Sequence, residues 1–96
     1  MRVIVSDDAA ADLEDIFDYI AQDSVRNARK YVASLRRKIK SLGRFPQIHP
    51  PRDDLPAGMR AAVHGSHPIL YDVGAKSVDI ARVVHGAMDL EGIVKP

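Results

Sequence analysis

Val78-Asp-Ile-Ala-Arg-Val-Val-His-Gly-Ala-Met-Asp-Leu90 is the stretch on which the reading of this chain turns. It begins as a run rich in valine and isoleucine, the composition of a strand, and ends in an Arg82…His85-Gly86 corner. Working backwards, Ile69 to Val73 and Met59 to His64 are two further β-type runs. The turn signals Gly65-Ser66 and Gly74-Ala75 separate them from each other and from Ser77 to Val84. Short loops between such runs predict three antiparallel strands, and Val3-Ile4-Val5 predicts a fourth.

Upstream of these strands the period changes. Ser6 followed by Asp7 and Asp8 is a cap with acids at the positive end of a helix dipole. Ala9, Leu13, Ile16, Phe17 and Ile20 then lie on one stripe of a helix ending near Gln22, with Asp12, Glu14, Asp15 and Asp18 on its other faces. A second cap signal at Asp23 or Ser24 opens another helix. Its stripe is Ala28, Tyr31, Val32, Leu35, Ile39 and Leu42, with Gly43 as a C′ residue. The short joint predicts an antiparallel helical hairpin. Phe45-Pro46 and His49-Pro50-Pro51-Arg52 bar further helix, because proline disfavours helical geometry in the residue before it. The expectation is an α+β fold ordered βααβββ, in which the hairpin packs on a three- to four-stranded antiparallel sheet.

A length of 96 residues with 46% hydrophobic content predicts one domain, 1–96. A domain of this size buries only about 60–65% of its unfolded surface, so a partner that covers leftover apolar surface would stabilise it. The absence of cysteine removes disulfides, thiolate metal sites and thiol nucleophiles, and fits a reducing cytoplasm. No run approaches a membrane span or a signal peptide.

Charge is unevenly placed. Residues 1–23 hold seven acids and one base, whereas residues 24–52 hold nine bases and no acid. The basic run, Arg26, Arg29, Lys30, Arg36, Arg37, Lys38, Lys40 and Arg44, suits a phosphate backbone, an acidic protein or the acidic first helix, and equally a solvated face. It has no interleaved aromatics for base stacking.

Arg60 and Arg82 fall in predicted strands, where a guanidinium must reach solvent, a carboxylate or a phosphate. By alternation Arg82 shares a face with Val78, Ile80 and Val84, unless a bulge shifts the register. His85 at a strand end is a position for a general acid or base, or for a packing histidine. His49, His64, His67 and His85 lack the helical i, i+4 spacing of zinc enzymes, so no metal and no other cofactor is expected. Ser24, Ser66 and Asp72 form no nucleophile elbow, and there is no glycine-rich phosphate loop.

Ala10-Ala-Asp-Leu13 with Ile16 and Tyr19-Ile20, Ala28…Tyr31, Leu42…Phe45-Pro46, Asp54-Leu-Pro-Ala-Gly-Met-Arg60, Ile69…Tyr71 and Ile80-Ala-Arg-Val-Val-His-Gly-Ala-Met-Asp89 occur in an order that resembles the RelE/ParE superfamily of toxin–antitoxin toxins, its ParE branch most closely. The match spans nearly the whole chain. The resemblance implies a helical hairpin on an antiparallel sheet, and a small antitoxin whose C-terminal segment wraps the toxin. Leu13, Phe17, Ile69 and Tyr71 are the candidates for that contact. ParE-like members poison DNA gyrase, and RelE-like members cut messenger RNA on the ribosome without a metal. Arg60, Arg82 and His85 are the candidates for target contact in the first case and for catalysis in the second. Nucleic acid would then enter only through the target complex or the antitoxin. Related sequences commonly carry arginine after His-Gly-Ala, where this chain has Met88, and no tyrosine or lysine cluster follows. A ribonuclease needs such groups to stabilise phosphate charge and protonate a leaving oxygen, so gyrase inhibition is the expectation ahead of RNA cleavage. Met88 also leaves open a degenerate toxin that keeps only antitoxin binding.

Overall fold

The computed structural model describes residues 1–85; the Gly86 and Met88 positions lie outside them. The order is β1 (Arg2–Val5), α1 (Asp7–Ala21), α2 (Val25–Leu42), β2 (Arg60–His64), β3 (His67–Val73) and β4 (Ser77–Val83), the βααβββ order expected. Ser6 accepts the Ala9 N–H at 3.0 Å and Ser24 the Asn27 N–H at 3.1 Å, so α1 is capped at the expected serine and α2 at Ser24, of the two expected places Asp23 and Ser24.

The strands form one sheet in the order β1-β4-β3-β2. β2, β3 and β4 are antiparallel neighbours, whereas β1 lies parallel to β4, pairing Arg2 with Ser77 and Val5 with Ile80. The sheet is therefore mixed where a wholly antiparallel one was expected. The reason is the path of the chain. Parallel neighbours need a long connection between them, and here everything from Ser6 to Lys76 lies between β1 and β4.

Between hairpin and sheet sits the main core, which includes Leu13, Leu35, Ile39, Leu42, Ile69, Tyr71, Val78 and Ile80. Truncating one of these leucines or isoleucines to alanine is expected to cost about 2–5 kcal/mol. A smaller cluster of Leu55, Met59, Leu70 and Val84 covers part of the sheet's other face. Leu55 and Met59 come from the proline-rich connection, which is tied back by the Arg52 N–H donating to the Met59 carbonyl at 2.9 Å.

Two glycines have specific reasons. Gly65 opens the two-residue β2–β3 turn at φ 58°, and a Cβ there would stand 2.7 Å from the Tyr31 hydroxyl. Gly43 is the C-cap of α2 at φ −67°, in ordinary helical geometry, which corrects its reading as a C′ residue. Its role is close approach: a Cβ would lie 2.6 Å from the Met1 carbonyl and 2.8 Å from Val3 Cγ2. The end of α2 thus rests directly on the start of β1.

Candidate functional site

β4 carries a bulge. Leu70 pairs with Arg82 but Tyr71 pairs with Ile80, which leaves Ala81 as the extra residue. Beyond it the faces exchange, so Val83 joins the helix-side core and Val84 the opposite cluster. A bulge strands backbone groups, and α1 satisfies them. The Ser6 hydroxyl donates to the Ala81 carbonyl at 2.8 Å, and Asp12 Oδ2 accepts the Val83 N–H at 2.9 Å. Asp12 also takes Arg82 in a fork, Nε to Oδ2 at 2.7 Å and Nη2 to Oδ1 at 2.9 Å. These hydrogen bonds hold the Arg82 pKa above its ordinary value, against the opposing effect of burial. Arg82 is thereby occupied within the fold.

Arg60 is engaged elsewhere. Its Nη1 donates to the His49 carbonyl at 2.6 Å, while its buried Nε has no partner among the described residues. His49 packs edge-on against Tyr71, whose hydroxyl donates to the Pro46 carbonyl at 3.3 Å. Burial raises the Tyr71 pKa, with Arg60 pulling the other way. Arg60 and Tyr71 together anchor the proline-rich connection against the sheet.

His85 lies in a third place. Its ring meets that of His67 edge to face, 5.6 Å between centres. Tyr31 Oη is 2.6 Å from His67 Nδ1 and 3.2 Å from the His64 carbonyl, and Ser34 Oγ is 2.8 Å from His64 Nε2. A hydroxyl has one proton. When Tyr31 gives it to the carbonyl, His67 must donate from Nδ1, which leaves its Nε2 as an acceptor. Burial, then His85 and His64, lower the His67 pKa, so the neutral ring is favoured.

His67 and His85 floor an open cleft of roughly 640 Å³, walled by Ile16, Tyr19 and Ile20 of α1 and bordered by Asp15, Tyr31 and Ser66. Among the described residues no arginine or lysine lines it. Such a cleft suits an apolar segment of a partner better than a phosphodiester, whose charge it could not stabilise.

The structure thus places Arg60, Arg82 and His85 in three separate environments. Leu13, Ile69 and Tyr71 are at most 1% exposed and belong to the core, so of the four antitoxin candidates Phe17 alone keeps surface, at the groove shared with Val32 and Arg36. Spacing identified them as apolar, and apolar spacing is the same for a core and for an interface. The Tyr31–His67–His85 grouping was not legible because it joins residues 36 apart through strand register. Tyr19, 70% exposed beside the cleft, lies off the apolar stripe of α1 and enters the sequence reading only through the Tyr19-Ile20 pair of the family resemblance. Among the described residues no helix is long and apolar enough to cross a membrane.

A hairpin of two helices on a mixed four-stranded sheet is the architecture of RelE- and ParE-type toxins. The chain superposes on a structure of the chromosomal ParDE toxin–antitoxin system from P. aeruginosa with a TM-score of 0.75, at 25% identity over 88% of this chain and 95% of that one. Against the toxin–antitoxin complex RelBE2 from Mycobacterium tuberculosis the TM-score is 0.66 at 24% identity, with the same coverage, a likeness of fold. Residues 3–90 match the family described as ParE toxin of type II toxin–antitoxin system, parDE, and the chain belongs to that family. It is 38% identical to Toxin ParE1 of Caulobacter vibrioides over 82 residues, 84% of each chain. It is 33% identical to Toxin ParE1 of Mycobacterium tuberculosis over 92 residues, 94% of each.

Proposed function

We propose that this ParE-family toxin acts by inhibiting DNA gyrase and is neutralised by a cognate antitoxin. The observation that carries the reading is the separation of Arg60, Arg82 and His85. A ribonuclease must bring a base, an acid and a phosphate-stabilising cation to one phosphodiester, whereas here one arginine is clamped by Asp12, the other holds a loop, and the histidine faces a cleft that has no arginine or lysine among the described residues. Without a convergent centre the protein works as a binding module, with no metal or cofactor, as a single 1–96 domain in the cytoplasm. The antitoxin segment docks where apolar surface is left open, against Tyr19, Ile16 and Ile20 and at Phe17.

The test is supercoiling of relaxed plasmid by purified gyrase with and without the protein, with cleavage of ribosome-bound message in parallel. Loss of supercoiling with intact message, relieved by the antitoxin, supports the proposal. Message cleavage with normal supercoiling overturns it in favour of an interferase, and silence in both overturns it in favour of a degenerate toxin.

A further inference from the structure

The acidic first helix and the basic second helix lie side by side, yet among the described residues no α2 cation forms an ion pair with a carboxylate. The two ion pairs found are Arg52–Asp54 and Arg82–Asp12, both outside this face. The basic run is therefore not consumed by its neighbour. At 100° per residue, Arg26, Arg29, Lys30, Arg37 and Lys40 fall within an arc of about 100°, opposite the stripe of Ala28, Val32, Leu35, Ile39 and Leu42 that enters the core. All five are exposed. Arg36 lies outside the arc, bordering the groove it shares with Glu14 and Asp18.

We infer that this outer face of α2 binds the phosphate backbone of duplex nucleic acid directly, without reading sequence. The inference goes beyond gyrase inhibition and does not depend on it. From Arg26 to Lys40 the helix rises about 21 Å, a length over which one strand of a duplex offers about six phosphates. Five exposed cations with no acid among them match that array in sign and extent. An acidic protein is the weaker fit. Protein interfaces are organised around buried aromatic or aliphatic anchors, and this arc contains none, its small apolar member being Ala33. The lack of aromatics likewise argues for backbone contact over base stacking.

The experiment measures binding of the full chain to a labelled mixed-sequence 24-base-pair duplex by fluorescence anisotropy between 50 and 200 mM KCl. Five phosphate contacts predict a loss of about 500-fold in affinity across that range, and the triple variant R26Q/K30Q/R37Q, which keeps two, a loss of only about 10-fold. The control R2Q/K76Q removes two exposed charges away from α2, one on β1 and one in the β3–β4 turn, and retains the wild-type salt slope. Matching melting curves for all three proteins establish that charge, not folding, differs. Absence of binding at 50 mM KCl overturns the inference, as does a salt slope unchanged in the triple variant. Equal competition by polyglutamate at matched charge overturns it in favour of an acidic protein partner.

Discussion

Replacing Asp12 with alanine removes one carboxylate and three hydrogen bonds, two from Arg82 and one from the Val83 N–H. Val83 is 3% exposed, so its stranded donor costs about 1–3 kcal/mol. The Arg82 side chain is 30% exposed and that of Asp12 13%, so the guanidinium can rehydrate in part and its loss is nearer about 1 kcal/mol than the several expected of a fully buried pair. Together these give about 2–4 kcal/mol, out of about 5–14 kcal/mol for a domain of this length. The melting temperature should fall by about 10–25 °C. Urea unfolding measures the free energy, and a double-mutant cycle with Arg82→Met separates the ion pair from the backbone bond. The reasoning predicts that Asp12→Ala remains costly in the Arg82→Met background because Val83 is still orphaned, while Asp12→Asn, which retains an acceptor, loses less. If Asp12→Ala costs under about 0.5 kcal/mol, the claim that α1 satisfies the bulge is refuted.

Ser6→Ala deletes both the α1 cap and the donor to Ala81, and should cost about 1–2 kcal/mol in the same urea assay; a neutral result would mean water replaces both contacts. Gly43→Ala usually stabilises a helix, but here the Cβ would collide with Met1 and Val3, so a loss of about 1–3 kcal/mol is expected, and a gain in melting temperature would sink the close-approach argument. Acidification should destabilise the fold in the histidine range. Burial holds His67 and His49 below the ordinary value of 6.5, so as pH drops through 6.5 the unfolded chain takes up protons first, and the loss levels off below the folded values. The urea midpoint should be lower at about pH 5.5 than at about pH 7.5, and His67→Asn should reduce the difference; a midpoint that rises on acidification contradicts the assigned direction.

The helices were legible because their signals are local. Ser6 and Ser24 cap within three residues, and the apolar stripe of each helix predicts the face that enters the core. The three hairpin-linked strands were legible for the same reason. The parallel pairing of β1 was not, since strand direction depends on the path of the 43–59 connection, which carries no periodic signal. Arg82 was placed on the apolar face by alternation, with a bulge as the stated exception. The bulge exists: beyond it Val84 turns to the opposite face, and Arg82, paired with Leu70, no longer follows the alternation of Val78 and Ile80. Neither the pairing of Arg82 with Asp12 nor the meeting of His67 with His85 follows from spacing, because both require knowing which strand lies over which helix turn.

The pairing of the first strand with the last also governs when the molecule can exist. Ser6 and Ala81 are 75 residues apart, and among the described residues β1 has no partner in the sheet other than β4. A nascent chain can coil its helical hairpin early, but its opening strand stays unpaired until β4 has been made. Closure of such distant ends is a slow, all-or-none step. Prematurely terminated products that lack β4 should therefore be unfolded and readily degraded, and any toxicity should belong to the finished chain alone.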